Sequence, residues 1–270
     1  MSLTFDAHER AQWADRAAVY RDTLADLCAG AASSLLDAAG VAPGVSLLDV
    51  GTGPGTVAEL ALARGASVVA VDASASMVAL ARARVPDVRL AALPSLPFPA
   101  GSFDVAVANF VVNHVGDPLA ALTSMRRVVR PGGRVAVTIW PHPPPPAQAL
   151  WSDIFAAAGV VRPQGLPRLS PSDDFPRSVD GLCGLLRRAG LVSVGGSAPA
   201  WVHETDAEAW WNGPAAGLGA TGAVLAAQDE PTRARVRSSF DRLTAPFAAA
   251  DGRLALPTAA ILAWGDRPAG

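Results

Sequence analysis

The chain has 270 residues, half of them hydrophobic and 17% charged, with a formal net charge of −2. All 22 basic residues are arginine, which excludes a Schiff base or any other lysine chemistry, and the charge balance argues against a nucleic-acid partner, which would need a basic face. This length and apolar content suit one large core with inserts better than two small domains. Cys28 and Cys183 stand far apart without metal-ligand spacing and read as buried free thiols. No basic-then-apolar leader opens the chain and no apolar run is long enough to span a bilayer, so the sequence reads as cytoplasmic, with no membrane partner.

Residues 6–40 read as two helices, with Trp13 and Tyr20 seven apart on one face and Leu24, Leu27, Leu35 and Leu36 continuing the stripe. Gly40 and Pro43-Gly44 end it. Val45 to Val50 reads as the first strand, followed by Gly51-Thr52-Gly53-Pro54-Gly55 and a helix from Thr56 to Arg64. Glycine at every second position lets the backbone bend sharply and a ligand lie against it. The helix start turns free N–H groups toward that loop. The spacing is G-x-G-x-G, whereas a dinucleotide site reads G-x-G-x-x-G.

Ser67 to Val71 is a β-branched run typical of a buried parallel strand. It ends at Asp72, at the distance past the glycine loop expected of a ribose-binding carboxylate. Ser74 is a candidate N-cap for a helix that carries Met77. Val88 to Ala91 is a third strand and Asp104 to Ala108 a fourth. Asn109 to Val115 then follows at the strand end where open α/β sheets bind ligands. A helix over 119–129, a Pro131-Gly132-Gly133 turn and a fifth strand over 135–140 complete this half. Beyond Trp140 come a stiff run, Pro143 to Pro146, a helix over 147–160 and a loop-like 161–177, and this insert over 141–177 should cover the open edge of the sheet. A helix over 180–189, a strand from about 191, helices over 206–247 and one last strand, Leu254 to Trp264, finish the chain.

The run Leu47-Leu48-Asp49-Val50-Gly51-Thr52-Gly53-Pro54-Gly55 resembles motif I of the class I S-adenosylmethionine (SAM)-dependent methyltransferases. Leu96-Pro97-Phe98 with Gly101-Ser102-Phe103-Asp104-Val105 resembles a run of their UbiE/type 11 small-molecule branch, and Arg130-Pro131-Gly132-Gly133 resembles the element before its fifth strand. The resemblance covers residues 45–140. It implies a Rossmann-like α/β fold: seven mostly parallel strands, the last antiparallel, helices on both faces and a helical lid. It further implies one domain over 1–270, with an N-terminal cap (1–44), a SAM-binding half (45–140) and a second half (141–270) bearing lid inserts near 141–177 and 203–250.

On this resemblance the cofactor is SAM. Gly51, Thr52, Gly53 and Gly55 would hold its methionine end, Asp49 and the Asn109 carbonyl its ammonium, and Asp72 with Ala73 its ribose. Met77 would lie beside the adenosine, Phe110 beside the methionine end, and Tyr20 would come over the cofactor from the N-terminal cap. The branch commonly has an aspartate six residues before Phe98. Here that position is Ala92, so adenine recognition would rest on the backbone of Ala92 and Leu93 and on apolar contact.

His114 is the candidate general base for the acceptor's proton; the competing reading is a structural histidine. Trp13, His114, Trp140, His142 and Trp211 are candidate acceptor contacts, with Trp151, His203 and Trp210 as further lid aromatics. No Pro pair follows Asn109, which argues against methylation of nucleobase amines, and no carboxylates follow strands four and five, so no metal is expected. The resulting expectation is in-line methyl transfer to a small apolar or aromatic molecule at O, N or C, with catalysis by positioning. A SAM-binding protein with a degenerate or regulatory site is the alternative, with Ala92 as its one feature. A nicotinamide oxidoreductase is opposed by the glycine spacing and the lack of lysine. Acceptor identity and oligomeric state stay open.

Overall fold

The computed structural model describes residues 5–13, 15–163 and 167–269. The apolar runs of the first half become five parallel strands: β1 (Ser46–Val50), β2 (Ser67–Asp72), β3 (Val88–Leu90), β4 (Phe103–Asn109) and β5 (Val129–Ile139). β6 (Val192–Ser197) is the far edge of the same sheet, while β7 (Ala200–Thr205) and β8 (Leu254–Ala259) pair with each other in a separate two-stranded sheet. β9 (Ile261–Asp266) runs antiparallel to both β5 and β6. The large sheet therefore has the order β3-β2-β1-β4-β5-β9-β6, seven strands with one reversed, as the resemblance implied.

Both faces of this sheet are covered, which is why its central strands are apolar without alternation. On one face lie α4 (Ala32–Ala38), α5 (Thr56–Ala63) and α6 (Ala75–Ala81), which bury Leu35, Leu36, Val57 and Val78 against Leu47, Val68, Val105 and Val107. On the other, α7 (Pro118–Val128) and α9 (Val179–Arg188) bury Leu122, Met125, Leu182 and Leu186 against Leu48, Val50, Val135 and Val137. Helix starts carry the residues that satisfy free N–H groups. Ser74 caps α6 at Met77, Asp117 caps α7 at Ala120, and Ser178 caps α9 at Gly181.

The N-terminal segment differs from the expected pair of helices. It forms α1 (Phe5–Trp13), α2 (Ala17–Thr23), α3 (Ala25–Ala29) and then α4. The break at Gly30 has a packing reason. A Cβ there would collide with the Trp201 indole of β7, so only glycine lets the small sheet come this close.

The expected single strand over 254–264 is also two. Pro257 cannot donate to a ladder, so a two-stranded sheet, where each strand has a free edge, accommodates it and the interior of the large sheet does not. The chain turns at Ala260, whose amide donates to the Pro199 carbonyl, and β9 enters the large sheet. Residues 200–205, which gave no strand expectation, pair with β8 along their whole length.

The helix of the insert over 141–177 does not lie along an edge of the sheet. That helix, α8 (Pro146–Ala157), packs on β8 and on α12 (Glu230–Thr244). With α10 (Ala207–Ala215) and α11 (Gly219–Ala226) they enclose a second core of Leu150, Trp151, Ile154, Phe155, Trp210, Phe240 and Leu256. This is the lid. Phe240 is fully buried in it, 5.5 Å from the Trp151 ring and 5.2 Å from Trp211. Phe240→Ala is expected to destabilise the protein by about 3–5 kcal/mol, read as a lower urea midpoint at unchanged slope.

Candidate active site

The order of the large sheet reverses at β1, whose neighbours are β2 and β4. Ligands of open α/β sheets bind in the crevice beyond the carboxyl ends at such a point. Here that crevice opens into a cavity of about 700 Å³ between the sheet, the N-terminal helices and the lid. A cleft of about 30 Å³ lies beside it, under the glycine loop.

The loop is shaped by its glycines. Gly51, Gly53 and Gly55 all take positive φ, where a side chain is strained. A Cβ on Gly51 would also run into Val111. Gly51 and Gly53 line the cavity; Gly55 lies behind them, against Ala81 and Val85, and closes the helix onto its neighbour. The loop is pinned by Asp72, which accepts from the Gly53 amide at 2.8 Å and from the Ser74 amide at 2.9 Å.

Asp49 ends β1 beneath the loop and is 1% exposed. Its Oδ2 accepts from the Thr52 hydroxyl at 2.7 Å, and its Oδ1 has no partner. Burial pushes its carboxyl up to about 7, partly opposed by the Thr52 hydroxyl and reinforced by the nearby Asp72. Burial also raises Asp72. A buried carboxylate with a free oxygen favours a cationic partner, and the cleft it shares with Tyr20, Thr52 and Asn109 is where one would sit.

The segment after β4 is held from both sides. Asn109 donates from Nδ2 to the Cys28 carbonyl at 3.0 Å and accepts at Oδ1 from the Thr138 hydroxyl at 2.6 Å. Its side chain is thereby committed to structure. Phe110 follows at φ +57, strained for a bulky residue. Its amide is held at Thr138 and its ring stacks on Trp140 with centroids 3.9 Å apart. Tyr20, from α2, hydrogen-bonds the Cys28 thiol; burial pushes the phenol well above its usual range and the thiol to about 11, so both are neutral at pH 7.

Of the residues expected at the site, Tyr20, Gly51, Gly53, Asp72, Ala73, Met77, Ala92, Leu93, Asn109 and Phe110 line the cavity, as do Trp13, His114 and Trp140. Asp49 and Thr52 line the smaller cleft. The structure does not bring His142 or Trp211 there. His142 is exposed. Trp211 stacks on Trp151 at 6.1 Å and lies under Arg237, inside the lid. Its neighbour Trp210 lines the cavity instead, beside Trp151. Cys28, Glu9, Gln148 and the start of α11 also contribute walls. None of these carries a local sequence signal, because each reaches the cavity through tertiary packing. His203 belongs to β7, buried against Trp210 at 5.8 Å.

This sheet, with a glycine loop after its first strand and a carboxylate closing its second, defines a Rossmann-like cofactor-binding enzyme. A sequence profile described as a methyltransferase domain matches residues 48–137. The demethylmenaquinone methyltransferase of Beutenbergia cavernae is 36% identical over 171 residues, 59% of this chain and 71% of that protein. A demethylmenaquinone methyltransferase of Renibacterium salmoninarum is 39% identical over 111 residues, 40% of this chain and about half (47%) of that protein. Among solved structures, the YcgJ protein of Bacillus subtilis superposes with a TM-score of 0.53 at 18% identity, over 89% of this chain and 99% of that one.

The chain belongs to the class I SAM-dependent methyltransferases, in their type 11 branch. Its cofactor is SAM. The unpartnered Asp49 Oδ1 beside the glycine loop fits the cofactor's ammonium, and among the described residues Asp49 is the one acidic group lining the smaller cleft.

Because the folded-state pKa of Asp49 lies above its unfolded value, the fold binds this proton more tightly than the unfolded chain does. The associated stability is fully present below the ordinary carboxylate range and is lost as pH rises toward about 7, at ~1.4 kcal/mol per unit. Asp49→Asn should therefore melt at a temperature less dependent on pH between 5 and 7 than the ligand-free wild type, and should bind SAM more weakly. Thermal melts across that range check the first expectation and calorimetry the second.

Proposed function

We propose that this enzyme transfers the SAM methyl group to a small apolar or aromatic molecule held between the glycine loop and the tryptophans of the lid. The observation that carries this is the continuity of one cavity from Asp72 and Gly53 to Trp140, Trp151 and Trp210. Its volume, about 700 Å³, falls in the upper part of the range typical of small-molecule sites. At the cofactor end, backbone amides of the loop face the methionine moiety, Asp49 the ammonium and Asp72 the ribose hydroxyls, while Met77, Ala92 and Leu93 flank the adenine. At the other end the walls are Leu24, Leu27, Trp140, Trp151 and Trp210, which offer flat apolar surface.

SAM supplies an activated methyl, so the chain's own task is to exclude water and align the acceptor. Positioning of this kind can lower a barrier by roughly 7–11 kcal/mol. The two named relatives are called demethylmenaquinone methyltransferases, and an apolar conjugated acceptor agrees with the tryptophan walls. The reading is of one functional unit over the whole chain, cytoplasmic, with cap and lid supplying the acceptor site and with neither nucleic acid nor membrane as partner.

Calorimetry of SAM and S-adenosylhomocysteine against wild type and Asp72→Ala tests the cofactor end. Micromolar binding by the wild type, weakened at least about tenfold by the substitution, is expected, since Asp72 both pins the loop and faces the ribose. A screen of apolar aromatic acceptors for S-adenosylhomocysteine formation tests the other end. Trp140→Leu should raise the acceptor KM about five- to tenfold with SAM affinity little changed. No turnover with any apolar acceptor would sink the proposal.

A further inference from the structure

His114 lies on the 3-10 turn Val112–His114 that follows β4, and its amide donates to the Val111 carbonyl. Its ring nitrogen Nδ1 is 2.7 Å from Oε2 of Glu9, a residue of α1 that is 105 positions away in sequence. The ring also stands edge-on to Trp13, with centroids 5.3 Å apart. A second tether comes from the same helix: Asp6 accepts from the Gly116 amide at 2.7 Å. Glu9 and His114 both line the cavity, and the Glu9 side chain is only 14% exposed, so this is not a solvated surface pair.

A carboxylate can only accept. In the neutral imidazole, Glu9 therefore selects the tautomer with the proton on Nδ1 and the lone pair on Nε2. Nε2 has no hydrogen-bond partner among the described residues and is not one of the buried orphan atoms, so it is open at the cavity wall. The other charged groups around the ring are Asp6, held by Gly116; Asp117, which caps α7 at Ala120; and Arg10 and Asp15, which line the same mouth.

We infer that Glu9 and His114 form a base pair that removes the proton of a hydroxyl acceptor, a phenol or enol, with His114 touching the acceptor and Glu9 as positioning residue. This rests on the methyl-transfer reading above and names its acceptor class. The acceptor O–H bond breaks and its proton goes to Nε2. The freed oxygen electron pair forms the bond to the methyl carbon as the carbon–sulfur bond breaks, leaving its electron pair on sulfur. The positive charge leaves the sulfonium and appears on the His114 imidazolium, beside Glu9, and the imidazolium then returns its Nε2 proton to solvent. An amine in its neutral form, such as an arylamine, attacks with a lone pair it already has and sheds its proton afterwards, so it does not call for a base set in place beforehand. A hydroxyl does, because methylation without proton loss would leave a strongly acidic oxonium.

Two acceptors separate the base role from a structural one: 1-naphthol, which is protonated at pH 8, and thiophenol, which is already a thiolate there. His114→Phe should lower kcat on 1-naphthol about 100-fold, and Glu9→Ala about tenfold. KM should stay within about twofold, and thiophenol turnover within about threefold, in both variants. Glu9→Gln, which keeps an acceptor oxygen, should restore part of the loss. Independently of turnover, 15N NMR of the protein with bound S-adenosylhomocysteine should show the Nδ1–H tautomer for His114 in the wild type and lose it in Glu9→Ala.

Equal losses on both acceptors, a change confined to KM, or an Nε2–H tautomer in the wild type would overturn the inference. Turnover of thiophenol but not 1-naphthol by the wild type would also overturn it, while leaving transfer to small apolar molecules standing. Turnover of neither, or of any other apolar acceptor, would remove the proposed function, and the tautomer would then decide the pair by itself.

Discussion

Two carboxylates at adjacent strand ends, with no cation between them, set the terms for this site. Asp49 and Asp72 sit beside one glycine loop, and burial raises both. Asp72 offsets its cost by accepting two backbone amides, one from the loop and one from the start of α6, and so fixes the distance between two walls of the cavity. Asp49 accepts from the Thr52 hydroxyl at one oxygen, while its Oδ1 has no hydrogen-bond partner among the described residues. An unpaired buried acceptor costs roughly 1–3 kcal/mol. With the cofactor's ammonium placed at Asp49 as proposed, that cost is offset on binding, and the cofactor then stabilises the protein at this point. The loop glycines, the commitment of Asn109 to Cys28 and Thr138, and the strained Phe110 turn all serve to hold this pair in position.

The cofactor half was legible because its determinants are local. A short apolar run, an acid, three alternating glycines and a helix start occupy ten consecutive residues, Leu47 to Thr56. Asp72 followed from spacing, and Ser74 as a cap from residue type. The acceptor half depends on tertiary placement. Trp210 and Trp211 are neighbours on α10, about 100° apart around the helix, and nothing in the sequence says which one faces the cavity. His142 sits after a strand end that suggests a site, yet it points to solvent. Glu9 meets His114 across 105 residues, so no local pattern could pair them. The broken C-terminal strand had one visible cue, Pro257, whose missing N–H fits a sheet with a free edge.

The same division shows in the comparisons. The matched domain ends at residue 137, short of Trp140, Trp151 and Trp210, and begins after Trp13, Tyr20 and Leu24. The sheet and loop lie within the matched stretch, and on the proposed function the walls facing the acceptor come from outside it. A common fold therefore transfers the cofactor more securely than the acceptor. Gly30 joins the two layers: by admitting Trp201 against α3 it lets the small sheet rest directly on the N-terminal helices.

The tethers of α1 carry a consequence for timing. Asp6 and Glu9 are one turn apart on a nine-residue helix, and they fasten it to the turn after β4 at Gly116 and His114. With Glu9 and His114 acting as a base pair, the fastening changes strength during turnover. An imidazolium against the Glu9 carboxylate adds the attraction of opposite charges to a hydrogen bond that was already charge-assisted on its acceptor side. The cap is thus held hardest just after the methyl has moved and relaxes when the proton departs.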